Sequence, residues 1–180
     1  FWYYLFLGSF EAAVIHYLVA KIIGPLFFGR GWCGYACWTS MILDLLPYKT
    51  PKENRKNFGF IRYIVFFLSL LLVLFLFIFK VNNLNMLMFY LFILGNVLYY
   101  ALGIILAYTF KDNRAFCKYV CPASVFLRLF SRFSFLRVKC DHTKCISCKK
   151  CIRNCPMNVN MIDNSFKREN GNECILCLKC

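Results

Sequence analysis

The sequence predicts an all-α helical bundle in a membrane, with three or more transmembrane helices, followed by a small cysteine-rich α+β module at the carboxy-terminal end. Three observations carry this expectation. The 180 residues are 61% hydrophobic and 19% aromatic, with a mean hydropathy of +0.58, which is too apolar for one soluble domain and long enough for several spans. Charge-free runs interrupt the first two thirds of the chain. Seven of the twelve cysteines crowd into the last 36 residues at short, regular spacings, beside apolar segments, which favours thiolates on metal in a reducing environment over cystines.

The expected helices follow in order. Residues 1–28 are strongly apolar but carry Glu11, His16 and Lys21; residues 63–79 are 17 uncharged residues in a row; residues 81–110 are another 30. About 20 apolar residues cross a hydrocarbon core roughly 30 Å thick, so three transmembrane helices are expected. Lysine and arginine orient them. Residues 29–62 hold Arg30, Lys49, Lys52, Arg55, Lys56 and Arg62, and residues 111–139 hold seven more, whereas the connection between the second and third spans has only Lys80. The positive-inside rule puts both basic loops and the cysteine-rich end in the cytoplasm. Much of the net charge of +14 thereby reads as topology and as affinity for anionic lipid headgroups; no stacking platform or binding motif points to nucleic acid.

An internal repeat joins the two basic loops. Trp32-Cys33-Gly34-Tyr35-Ala36-Cys37-Trp38-Thr39-Ser40 aligns with Phe116-Cys117-Lys118-Tyr119-Val120-Cys121-Pro122-Ala123-Ser124 at a constant offset of 84. The aromatic residue, both cysteines, the tyrosine and the serine coincide. Residues four apart share a helix face, so each C-x3-C pair can present two sulfurs to one centre, and the four together predict an iron-sulfur centre at Cys33, Cys37, Cys117 and Cys121. Buried structural thiols or a redox-active disulfide are the alternatives.

Cys145, Cys148, Cys151, Cys155 and Pro156 form C-x2-C-x2-C-x3-C-P, the run that wraps a 4Fe-4S cubane in bacterial ferredoxins, and Cys174, Cys177 and Cys180 begin a second copy. In two-cluster ferredoxins the fourth cysteine of each run ligates the other cluster. One cluster is therefore expected on Cys174, Cys177, Cys180 and Cys155, the other on Cys145, Cys148 and Cys151 with a cysteine from beyond residue 180. Zinc takes four ligands from two knuckles, whereas this run places four cysteines within eleven residues. The chain divides into a transmembrane region (1–121), an interfacial amphipathic helix and linker (122–138) and a two-cluster ferredoxin-like domain (139–180). With no initiator methionine and an unfinished second run, it reads as a fragment.

Two C-x3-C elements flanking a pair of transmembrane helices, the second running into Pro122, then FSFLRVKCDHTKC and the two-cluster segment, resemble the NapH/NosR group of membrane polyferredoxins over about residues 29–180. The resemblance implies a multi-pass protein of the cytoplasmic (inner) membrane with its ferredoxin module on the cytoplasmic side. It further implies an electron-transfer subunit of a quinol dehydrogenase-like oxidoreductase, passing electrons from quinol or a cytoplasmic donor to a redox partner protein. A related branch serves cytochrome oxidase maturation as a metal reductase, so an assembly factor or redox sensor is the second expectation. Trp38 stands where the group usually shows proline.

Three further features complete the reading. Residues 122–137 place Val125, Phe126, Leu129, Phe130 and Phe133 at helical spacing after a proline, as an interfacial helix does. Glu11 and His16, ionisable groups in an apolar stretch, are either quinone-associated or hydrogen-bonded to neighbouring helices. Cys140 is left over from the spacing and reads as an unpaired thiol, and His142 as solvated. No acid-base or nucleophilic constellation appears, so no catalytic residue is assigned.

Overall fold

The computed structural model describes residues 2–8, 12–51, 55–79, 83–162 and 171–180. Helix α1 (Trp2–Leu7) ends at Gly8, whose φ of +71° is a left-handed value that glycine adopts without steric penalty. Helix α2 (Ala12–Leu18) then widens into a π turn (Val19–Ile23) before α3 (Gly24–Phe28). Pro25 causes the widening: it has no N–H to give residue 21, and the ladder opens to a bond from the Gly24 N–H to the Val19 carbonyl. The continuous apolar helix in this stretch, Val14–Phe28, is about 22 Å long at 1.5 Å per residue, short of the roughly 30 Å of a bilayer core. The expected transmembrane helix over residues 1–28 is thus corrected.

Two helices among the described residues are long and apolar enough to cross a membrane, where three or more were expected. Helix α6 (Ile61–Ile78) continues a 3-10 turn at Phe58–Phe60, and α7 spans Leu84–Phe110. Only 11% and 6% of their apolar stretches are buried within the protein, so they are not core helices of a water-soluble fold, and their exposed leucines and phenylalanines support membrane association.

At the Arg62 and Phe110 ends of these helices the loops fold into a compact cap. Helices α4 (Gly31–Tyr35) and α5 (Trp38–Leu43) come from the first basic loop; α8 (Ala115–Tyr119) and α9 (Ala123–Ser131) come from the second. The buried Leu43 of α5 seats against Gly103 of α7, where an added Cβ would come within 3.1 Å of it. Asn113 fastens the loop before α8 to the first loop, accepting from the Tyr48 N–H at 3.0 Å and donating to the Leu46 carbonyl at 2.6 Å. Helix α9 is shorter than the interfacial helix expected to Arg137. It packs against α3 and α6, its buried Leu127 joins Cys33, Met157, Val159, Met161 and Ile175 in one core, Ser131 Oγ donates to the Asn172 carbonyl, and the chain after it pairs the N–H groups of Phe135 and Leu136 with the carbonyls of Leu26 and Phe27.

The cysteine-rich end holds no β-strand among the described residues, which corrects the expected α+β module. Its regular structure includes α10 (Lys150–Arg153) and a 3-10 turn at Gly171–Glu173. Ser147, Lys149, Leu176 and Leu178 have φ of 52–57°. A chain that turns left-handed at alternate positions cannot stay extended long enough for a ladder. The same turns serve the cysteines.

Candidate iron-sulfur centres

The internal repeat folds as a pair of matching helix-turn-helix corners. Cys33 and Cys117 lie inside α4 and α8, while Cys37 and Cys121 lie just past them, ahead of α5 and α9. The pairs therefore do not share one helix face, as their spacing suggested. In the second copy Pro122 explains the break, since the residue before a proline is driven away from helical geometry. Cys37 is likewise extended (φ −83°, ψ 116°) although Trp38 follows it. Ser40 Oγ donates to the carbonyls of Cys33 (2.7 Å) and Cys37 (3.0 Å), and Ser124 Oγ to that of Cys121 (2.6 Å), so the repeated serine fastens both corners.

The corners bring Cys33, Cys37, Cys117 and Cys121 within electrostatic reach of one another. Cys33 and Cys117 are buried; Cys37 and Cys121 are half-buried. Burial pushes the Cys117 thiol far up, helped by Cys121 and Cys33 and opposed by Arg114. Burial and the neighbouring Cys33 and Cys37 raise Cys121 to about 11, against a bond from the Ser124 N–H and the charge of Arg30. Without a cation these are protonated thiols, and loading metal onto them releases protons.

Two arginines stand beside them. Arg30 and Arg114 are 1% and 4% exposed. Although burial opposes its charge, Glu173 holds the Arg30 guanidinium above its ordinary value, and thiolates at Cys33, Cys117 and Cys121 add to that rise. Its Nε, buried, has no hydrogen-bond partner among the described residues. Arg55 and Arg62 share Glu173 with it, at 3.2 and 2.9 Å, so three guanidinium groups face one carboxylate, whose pKa they hold at about 2 despite its burial. A buried excess of positive charge against four thiols suits a negatively charged tetrathiolate centre better than neutral thiols or a cystine. The residues fit the iron-sulfur group the sequence implies.

A second group forms at the carboxy-terminal end. Cys151, Cys155, Cys174, Cys177 and Cys180 line one cleft, walled by Val138, Met161 and Ile175. Cys174 is raised to about 11 by burial, against a bond from the Leu176 N–H, with Cys155, Cys180 and Cys177 adding to the rise; Cys180 is raised by burial and Cys177. The Val159 N–H donates to Cys155 Sγ at 3.3 Å. Left-handed residues stand between the cysteines at Ser147, Lys149, Leu176 and Leu178, and at one of them, Leu176, the N–H bonds the Cys174 sulfur. Cys155 lies in one cleft with Cys174, Cys177 and Cys180, and Cys151 of the same run lies there too. Of the other run, Cys145 and Cys151 each lie within electrostatic reach of Cys140, whose thiol hydrogen-bonds Cys145; Cys148 stays exposed. Among the described residues no three His, Cys, Asp or Glu side chains close on a single metal ion. A cubane, in which each thiolate binds a different iron, does not require it.

Sequence reasoning set Cys140 aside as an unpaired thiol and missed Glu173 and the two arginines as site residues. Extending the repeat by two residues toward the amino terminus pairs Arg30 with Arg114 and would have found the arginines. His16 packs edge-on against Trp32, with ring centroids 5.5 Å apart, and Glu11 lies outside the described residues.

Comparison with known proteins bears on the same corners. Residues 13–52 and 93–139, which carry Cys33, Cys37, Cys117 and Cys121, match the family model of a 4Fe-4S binding domain. The chain is 29% identical over 176 residues to an uncharacterized protein of Methanocaldococcus jannaschii, spanning 91% of this chain and 72% of that one. It is 28% identical over 184 residues to a second uncharacterized protein of that organism, spanning 97% and 69%. The protein named "Putative electron transport protein YccM" of Escherichia coli is 28% identical over 68 residues, 38% of this chain and 18% of its own length. No solved structure matches. These likenesses support a protein that binds 4Fe-4S clusters.

Proposed function

We propose that this protein passes electrons along a short row of 4Fe-4S centres at the cytoplasmic face of the inner membrane, taking them from quinol or a cytoplasmic donor and giving them to a redox partner protein, as in the NapH/NosR group. When bound, such a cluster accepts and returns one electron at a time. Cys33, Cys37, Cys117 and Cys121 would hold one centre, and Cys155, Cys174, Cys177 and Cys180 a second. Cys145, Cys148 and Cys151 would supply three ligands of another, with Cys140 a thiol at hand for the fourth. Soft thiolates suit iron, and the apolar walls Val138, Met161 and Ile175 limit water, which bears on the potential.

The observation that carries this reading is the gathering of the repeated cysteines into one buried site flanked by buried arginines. The two groups also touch: Cys33 packs in one core with Met157, Val159 and Ile175, against which Cys155, Cys174 and Cys177 lie. Helices α6 and α7 would anchor the assembly, with the arginine-rich end inside.

Anaerobic iron and acid-labile sulfide analysis of the full-length protein tests the reading. About twelve irons per chain are expected, about eight would remove the centre at the repeat, and zinc or cystines throughout would overturn the whole. Reduction of the centres by added quinol is expected as well. Reduction by thiols or metal ions with no response to quinol would favour a maturation role.

A further inference from the structure

Arg30 and Arg114 are related by the same 84-residue offset as the cysteines. Each stands at the start of its short helix, and each reaches across to the main chain of the other copy. Arg114 Nη1 donates to the Cys33 carbonyl at 2.7 Å, and Arg30 Nη2 to the Cys117 carbonyl at 3.5 Å. Their acidic partners differ. Arg114 forks onto Asp44, whose side chain is 41% exposed, whereas Arg30 pairs with Glu173, which is 1% exposed and directly precedes Cys174.

We propose that Arg30 and Arg114 are the crossed positioning residues of the centre at Cys33, Cys37, Cys117 and Cys121, locking the two cysteine pairs face to face and raising the centre's reduction potential, with Arg30 also coupling it through Glu173 to the centre that begins at Cys174. This deepens the proposed function and rests on a cluster at those four cysteines. Adding one electron, which dithionite supplies in the test, makes the centre more negative by one charge. A fixed, buried cation nearby favours the reduced form, and its removal lowers the potential. Removing the Glu173 carboxylate acts in the opposite direction. A merely structural role gives no such pair of opposed signs.

The test is a redox titration of the full-length protein followed by electron paramagnetic resonance, with the iron count taken in parallel. Signals are assigned by their loss in Cys33→Ser. Arg30→Gln and Arg114→Gln are each expected to shift the assigned centre's reduction equilibrium toward the oxidised form by about tenfold, about 59 mV for a one-electron couple. Arg30→Lys, which keeps the charge, is expected to recover most of the shift, and Glu173→Gln to move the centre the other way. Should Arg30→Gln lose the cluster, the Arg30→Lys and Glu173→Gln variants still decide. The proposal is overturned if the glutamine variants keep their clusters and titrate as the wild type does, or if Arg30→Lys shifts as far as Arg30→Gln. If Cys33→Ser and Cys117→Ser keep the wild-type iron count, the cluster reading itself fails.

Discussion

Gly34, in the middle of the first corner, lies against the main chain of the carboxy-terminal loop. A Cβ there would sit 2.6 Å from the Ile175 carbonyl oxygen, while ordinary contact begins near 3.4 Å. Gly34→Ala therefore needs a displacement of about 0.8 Å between two main chains. Neither is the end of a flexible side chain. Overpacking of this kind costs about 1–3 kcal/mol. The same shift strains the bond from Tyr35 Oη to the Leu176 carbonyl, 2.7 Å long, whose loss costs about 1 kcal/mol. Against this, alanine in place of glycine inside α4 gains up to about 1 kcal/mol in helix propensity. The net is a destabilisation of about 1–3 kcal/mol, directed at the loop that carries Cys174 and Cys177. Iron and sulfide analysis with heating of the visible absorbance reads it: the variant should lose the carboxy-terminal centre first, at lower temperature, while the centre at the repeat persists. A Gly34→Ala protein with wild-type iron content and an unchanged melting profile would refute this account of the contact.

Three other outcomes are expected. Lys118→Met leaves the buried Asp112 without the ammonium that now lies 2.6 Å from it, and removes the Lys118 bond to the Asn158 side-chain oxygen; breaking a buried pair costs about 3–5 kcal/mol, so the melting temperature should fall well below that of a Lys144→Met control at an exposed site. Loading of apo-protein with iron and sulfide should become more favourable from pH 7 to pH 9, because the folded Cys121 and Cys174 thiols, held up at about 11, must lose protons and do so more readily as pH rises; a loading curve flat in pH would contradict those burial effects. Trp38→Pro should keep both iron content and stability: Cys37 already has the extended geometry that precedes proline, and position 38 is the first of its helix, so a thermal shift downward of more than a few degrees would show that the tryptophan does something else.

The cysteine groups were legible because ligand spacing is a local property. Cys145 to Cys155 and Cys174 to Cys180 need only count residues, and the 84-residue offset needs only a comparison of the chain with itself. The corners were less so. Four-residue spacing implied one helix face, whereas Pro122 and its counterpart Trp38 begin new helices and turn Cys121 and Cys37 out of the old ones. The expected third span failed for a similar reason: hydropathy sums over Gly8 and Pro25, but the backbone changes direction at the first and widens at the second. The strands expected at the end of the chain were borrowed from ferredoxins rather than read from residues, and the left-handed Ser147, Lys149, Leu176 and Leu178 exclude them locally. Glu173 could not be found at all from spacing, since its partners Arg30 and Arg62 lie 143 and 111 residues away.

Where the two copies of the repeat agree and where they differ separates two tasks. Cysteine, tyrosine, serine and arginine coincide, and the serines and arginines among them bond the main chain of the corners. At the third and seventh aligned positions the copies diverge: Gly34 against Lys118, Trp38 against Pro122. Gly34 leaves room for the Ile175 main chain, and Lys118 reaches Asp112 and Asn158, so both substitutions serve the cysteine-rich segment, one by admitting it and the other by tying it down. The tyrosines divide in the same way, Tyr35 holding the Leu176 carbonyl and Tyr119 accepting from the Lys56 N–H of the first loop. A duplicated corner that only bound metal would have no reason to differ at positions 34 and 118. The divergence follows from a symmetric seat that must also receive one asymmetric segment, which places the carboxy-terminal cysteines against one copy and keeps them within reach of the buried site.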